Sequence, residues 1–184
     1  MTPNEVVGRV QRLLLSPGTE WDTIDNEGAD VAQIYQGYIL PLVGIAAIAQ
    51  FIGLVIAGAG LVLALEMAIL YGAMTAAMVY VVALIINALA PQFGAKEEFG
   101  QAFKVAAYSP TPIWVALFLS ILPLIGGIAA LIGLAYSLYL LYLGLPKLMK
   151  AAADKALIYT LAVIGCELVI GVVLYAIIGS VLRV

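Results

Sequence analysis

The chain has no histidine, one cysteine and little charge: of its 184 residues, 10% are Asp, Glu, Lys or Arg. Each shortage removes a class of function. Without histidine there are no imidazole metal ligands, no histidine general base and no Ser-His triad. Cys166 alone cannot close a disulfide within the chain or build a thiolate cluster, and it lies inside an apolar run. No Gly-rich phosphate loop ending in Lys-Ser/Thr occurs. A net charge of −3 argues against a nucleic-acid partner. The N-terminal stretch holds Glu5, Arg9 and Arg12 in place of an unbroken apolar core, so no cleavable signal peptide is expected.

What remains is hydrocarbon. Hydrophobic residues make up 65% of the chain, and its mean hydropathy is +1.13. A soluble domain carries about 25% charge to keep its surface wet. Here the apolar runs exceed the roughly 20 residues that cross a hydrocarbon core. They extend from about Ile34 to Ala57, Leu61 to Ala90, Ala102 to Leu122, Gly126 to Leu145 and Leu157 to Leu182. The predicted fold is all-α: a polytopic integral membrane bundle of five transmembrane helices.

The basic residues orient it. Arg9 and Arg12 precede the first span, Lys96 and Lys104 lie between the second and third, and Lys147, Lys150 and Lys155 lie between the fourth and fifth. Only Arg183 falls on the other side, and Gly58-Ala59-Gly60 and Pro123-Leu124-Ile125 carry no charge. Short loops rich in Lys and Arg stay cytoplasmic. The N-terminus is therefore expected in the cytoplasm and the C-terminus on the opposite side. In a bacterium that membrane is the cytoplasmic (inner) one.

Residues 1–30 differ from the spanning domain, 31–184. Val6, Val7, Val10, Leu13 and Leu14 recur at helical spacing, with Glu5, Arg9, Gln11 and Arg12 on the other face. Ser16-Pro17-Gly18 interrupts the pattern before a short turn holding Trp21 and Ile24. Such a segment either lies in the headgroup layer or packs on the loops of the bundle.

Lipid tails are as apolar as leucine, so membrane helices associate through small residues and buried polar contacts. In the second span Glu66, Ala73, Tyr80 and Asn87 recur every seven residues, followed three positions on by Ile69, Ala76, Ala83 and Ala90. This reads as an alanine-rich seam with polar insertions. The fourth span has a small face of Gly126, Ala130, Gly133, Ser137 and Gly144. On the fifth, Thr160, Glu167, Gly171 and Tyr175 share one side. The three faces are expected to converge.

Two features carry chemistry. Tyr108-Ser109-Pro110-Thr111-Pro112 should break the third span, because Pro110 and Pro112 remove backbone donors. The freed backbone needs neighbours, Ser109, Thr111 or water in a cavity. The break is either a structural kink or a discontinuous helix that builds a site. Glu66 and Glu167 are acids within spans, with no Lys or Arg at comparable depth. Glu167 lies about 15 Å along its span, where an ionised carboxylate is costly, so a protonated or hydrogen-bonded acid is expected. Each is either a relay group or a bonded structural acid. Gln50 is at a suitable depth for Glu66, and Tyr80 or a carbonyl for Glu167.

The break motif, the run Tyr139-Leu140-Leu141-Tyr142-Leu143-Gly144-Leu145-Pro146 and the N-terminal Leu15-Ser16-Pro17-Gly18-Thr19-Glu20-Trp21-Asp22-Thr23-Ile24 resemble the Yip family of small five-span membrane proteins, in its short bacterial branch. Lys147 through Tyr159, a polar loop entering the last span, is similar as well. The resemblance implies five spans with a cytosolic N-terminus. Eukaryotic relatives contact Rab-type GTPases through a longer cytosolic arm. This chain has only a short arm and no Asp-Leu-Tyr-Gly-Pro-like segment, so GTPase binding is not carried over.

The function expected is non-enzymatic, exerted through helix packing and contact with membrane lipids, a second copy or a membrane-protein partner. No cofactor, metal or catalytic residue is expected. The alternative is a small transporter or an ion or proton conduit. The candidate polar positions are Glu66, Asn87, Glu167, Gln50, Tyr108, Pro110 and Pro112.

Overall fold

The computed structural model describes residues 1–182, apart from the side chains at positions 120, 123, 124, 175 and 177–182. Arg183, used to orient the chain, and the Tyr175 side chain, placed on the face of the fifth span, lie outside that description. The described residues form helices and no strand.

Helix α1 (Pro3–Leu15) opens with a reciprocal cap. The Glu5 N–H donates to Thr2 Oγ1 and the Thr2 N–H to Glu5 Oε2, satisfying two donors at the helix start. It stops at Ser16 because Pro17 follows, and Pro17 starts α2 (Pro17–Asn26). The Asp30 carboxylate caps α3 (Val31–Ile34). That helix runs through a π-helical turn, Tyr35–Ile39, into α4 (Leu40–Ile56), making one span, Val31–Ile56. The wide turn precedes Pro41, which has no N–H, and the Leu40 N–H reaches back five residues to Tyr35.

Gly58, with φ +91°, makes the tight reversal into α5 (Leu61–Leu89), a conformation that L side chains resist. Pro91 tightens the end of α5 into a 3₁₀ turn, and Gly94 (φ +69°) ends it. The third span, Phe99–Leu119, is divided into α6 (Phe99–Tyr108) and α7 (Thr111–Ala116), followed by a 3₁₀ segment, Leu117–Ile121. Helices α8 (Pro123–Leu148) and α9 (Ala156–Leu182) complete the five spans. In the bundle α5 lies between α4 and α6, α7 lies along α8, and α9 rests against α5 and α8.

The small face of α8 packs inside the chain, and it sets how closely α7 approaches. A Cβ at Gly133 would come 2.7 Å from the Ala116 methyl and 2.9 Å from the Pro112 carbonyl oxygen. At Gly144 it would meet the Trp21 ring at 2.9 Å. The seam on α5 is turned from the expected one. Ala64, Ala68, Val79, Ala83, Ile86 and Ala90 are buried, whereas Glu66, Ala73 and Tyr80 are exposed. The heptad count picked two neighbouring rows, and the bundle buries only the lower part of the second. Helices α4 and α6, one on each side of α5, set that rotation. The other exposed positions of α5 and α9 are largely Leu, Ile and Val, including Val62, Ile69, Leu161, Leu168 and Val172.

Of its two expected placements, the N-terminal hairpin takes the one on the bundle. Leu13, Trp21 and Ile24 are fully buried in the same core as Phe103, Leu140 and Leu145. Arg9, assigned to the polar face of α1, is buried, and Val7 is exposed. The inward row is Val6, Arg9 and Leu13, because Glu20 and Glu27 supply Arg9 with carboxylates.

Candidate functional site

The break in the third span is where backbone chemistry is disturbed. Pro110 and Pro112 have no N–H, so the carbonyls of Ala106 and Tyr108, four residues back, lose their helical donors. The structure replaces one of them. Thr111 Oγ1 donates to the Tyr108 carbonyl at 2.7 Å. With its only proton used there, the same hydroxyl accepts from the Tyr38 hydroxyl, also at 2.7 Å. On the other side of the break, the Ile113 N–H donates to Ser137 Oγ of α8 at 3.2 Å, and the Trp114 N–H returns to the Pro110 carbonyl. Neighbours and Thr111 therefore satisfy most of the break.

A cavity of about 230 Å³ lies beside it, at mid-span. Thr75 of α5, Ser109 and Pro110 of the break, Trp114 of α7, Ser137 of α8 and Glu167 of α9 contribute to its wall, with Val, Leu and Met between them. Pro110 and Glu167, distant in sequence, thus meet at one space. Ser109 is 5% exposed, and its hydroxyl has no hydrogen-bond partner among the described residues. Among the described residues no Lys or Arg reaches the wall.

The other candidate positions do not join this cavity. Glu66 is exposed on α5, and no hydrogen bond links it to Gln50 among the described residues. The Gln50 and Asn87 side-chain oxygens are buried without partners elsewhere in the bundle. Tyr80 packs on Phe99 and Phe103 and is not a partner of Glu167. Pro112 lies against α8 next to Gly133.

Tyr108 connects the break to a second polar region. The Arg9 guanidinium lies 5.4 Å from the centre of the Tyr108 ring, whose other neighbour is the Tyr38 ring at 4.7 Å. Arg9 bonds Glu20 at 2.7 Å and Glu27 at 2.5 Å, and Arg12 bonds the second oxygen of Glu20 at 2.7 Å. Burial disfavours the Arg9 charge. The hydrogen bond and charge of Glu27, helped by Tyr108 and Glu20, outweigh this and hold its pKa above the ordinary value.

Lys104, expected in a loop, is buried inside α6. Its ammonium donates to the carbonyls of Ile24 (2.7 Å) and Glu27 (2.8 Å), at the C-terminus of α2. A cation there satisfies carbonyls that the helix leaves open and complements its dipole. Lys147 and Lys150 pair with Asp22 and Asp25. Five basic residues that precede or separate the spans thus gather around one hairpin. Sequence reading missed this knot, since charges in an amphipathic segment look like a solvated face. The acids Glu20 and Glu27, seven apart beside a buried Trp21, are the signal that was available.

Residues 12–175 match the Yip1 domain family. The chain is similar to the Inner membrane protein YohC of Escherichia coli strain K12, at 25% identity over 183 residues, covering 92% of this chain and 93% of the relative. It is equally similar to the protein of the same name in E. coli O6:H1. No solved structure matches. The match embraces the hairpin from Arg12 onward, the broken third span and the acid of the fifth, and this multi-pass inner-membrane protein belongs to the Yip1-domain family.

Proposed function

We propose that the protein works by contact within the membrane, through a helix face that its own fold leaves unpartnered, and not by catalysing a reaction. The observation that carries this reading is Glu66 with Ala73 on the outward side of α5. A carboxylate within a span costs up to about 3 kcal/mol at mid-depth and less toward the interface. A neighbouring helix that supplied a donor would remove that cost, and Ala73 would let it approach closely. The gathering of basic residues at the hairpin end supports a cytoplasmic position for that end by the positive-inside rule.

Cysteine crosslinking in native membranes tests this. Ala73→Cys in a Cys166→Ala background should crosslink to one reproducible species, a second copy or another membrane protein. Val169→Cys on the leucine-rich face of α9 should not. Equal yields from the two positions, or none from Ala73→Cys, would remove the support for a specific contact face.

A second reading has its own observation: Glu167 and the broken helix share one mid-span cavity. Discontinuous helices and intramembrane acids are the materials of transport sites. In this reading the protein is a small conduit for protons or monovalent cations. Reconstituted liposomes should then show a flux that Glu167→Gln abolishes. Tight vesicles for both proteins, with the variant equally folded, would leave Glu167 out of any transport mechanism.

A further inference from the structure

The mid-span cavity is chemically lopsided. Its wall holds the Glu167 carboxyl, the Ser109 hydroxyl without a partner among the described residues, and Ala106, whose carbonyl Pro110 cannot serve, beside the Thr75 and Ser137 hydroxyls. Among the described residues Glu167 is the only acid or base on the wall, and no cation faces it. The remaining lining is mainly hydrocarbon, with the Trp114 indole at one side. A carboxyl that faces no cation and a buried hydroxyl without a partner mark the position of a group that the protein itself does not supply.

We propose that this cavity binds a small amphiphilic amine in its protonated form. Its nitrogen sits at Glu167 and Ser109, and its hydrocarbon body lies along Val79, Val82, Leu138 and Leu141. An ammonium offers three donors, which the Glu167 carboxyl and the Ser109 oxygen can accept. The indole face of Trp114 adds a cation-π surface, and the hydrocarbon wall holds the body of the ligand by the hydrophobic effect.

Other ligand classes fit less well. Calcium takes six to eight oxygens and magnesium an octahedron, more than this wall presents. An anion would face a carboxylate with no compensating cation. A neutral lipid chain would have no use for the acid. The proposal names a ligand for the cavity on which the conduit reading rests, but it does not require transport.

The test uses the full chain in nanodiscs, with phenylbutylammonium as probe and phenylbutanol as its neutral counterpart. Calorimetry should show the amine binding about tenfold or more tightly than the alcohol, the scale of one charge-assisted hydrogen bond. Glu167→Gln should erase that preference while alcohol binding persists. Equal affinities for the two probes in the native protein, no binding of either, or a preference that survives in Glu167→Gln would each overturn the assignment.

Should Glu167→Gln fold poorly, Thr75→Cys in a Cys166→Ala background decides the question with the carboxyl intact. The amine should slow alkylation of that thiol several-fold and the alcohol should not; equal or absent protection counts against the site. Amine binding with tight vesicles would keep the ligand and discard the conduit, and flux without amine binding would do the reverse.

Discussion

Tyr108 separates two polar regions that the bundle treats in opposite ways. On the side of the N-terminal hairpin, Arg9, Arg12, Lys104, Lys147 and Lys150 all have oxygens within bonding distance. On the side of the break, Glu167 and Ser109 face a cavity with no cation on its wall among the described residues. Both regions bury oxygens, so burial alone does not distinguish them. Charge pairing does. Every basic side chain of the knot has an oxygen partner, although the Arg9 Nε and Trp21 Nε1 hydrogens stay unbonded there, whereas the carboxyl at the break faces no cation among the described residues. By that criterion the hairpin knot reads as structural and the cavity as the functional candidate.

The comparison breaks first if the knot can be cut cheaply. Glu20→Ala leaves the Arg9 guanidinium buried with only Glu27, which is partly exposed, to hold it. Removing one partner of a buried pair costs about 3–5 kcal/mol. Arg12→Ala removes a side chain that is 52% exposed from the same carboxylate, at a cost below about 1 kcal/mol. Denaturant unfolding in detergent should separate the two variants clearly; similar losses would mean that Glu20 is not the buried hub.

Smaller effects probe how the break is held. Gly133→Ala forces a methyl against the Pro112 carbonyl and the Ala116 methyl. Backbone cannot step aside as a flexible side chain would, so overpacking should cost about 1–3 kcal/mol. Ser137→Ala strips the Ile113 N–H of its acceptor. An unsatisfied buried donor costs roughly 1–3 kcal/mol, toward the lower end where water enters from the cavity. Thermal unfolding of each variant, with hydrogen exchange at Ile113 for the second, checks both. Unchanged exchange in Ser137→Ala would show that the serine does not hold the break.

Much of this fold was legible in the sequence. The five spans follow from the length of apolar runs, since hydrocarbon thickness admits few alternatives. The break at Ser109-Pro110 follows from a missing N–H, and the face of α8 from the small size of Gly133 and Gly144. Local chemistry decides each of these. The rotation of α5 was not legible, because alanine is spread around that helix and only its neighbours choose which row is buried. Nor was the inward turn of Arg9, which depends on acids eleven and eighteen residues away. The convergence expected from the sequence was of faces on the second, fourth and fifth spans, with the acid-bearing row of α5 among them, and Pro110 was not part of it. The structure brings Thr75 and Val79 to the cavity in place of that row.

The smallest effect on stability is the most informative. Ser109 is as buried as the serine and threonine that hold the break, but its hydroxyl bonds to nothing among the described residues. A side chain serving the fold should weaken the fold when removed, as Ser137→Ala is expected to do. Ser109→Ala removes an oxygen that has no partner, so its stability should change by less than about 0.5 kcal/mol, or rise slightly as an unpaired polar group leaves the interior. Affinity for phenylbutylammonium should nevertheless fall several-fold in the same variant. A neutral stability with weakened binding places Ser109 on the functional side of Tyr108. A loss of 1 kcal/mol or more would reveal a hidden structural bond, and the contrast between the two regions would no longer separate support from site.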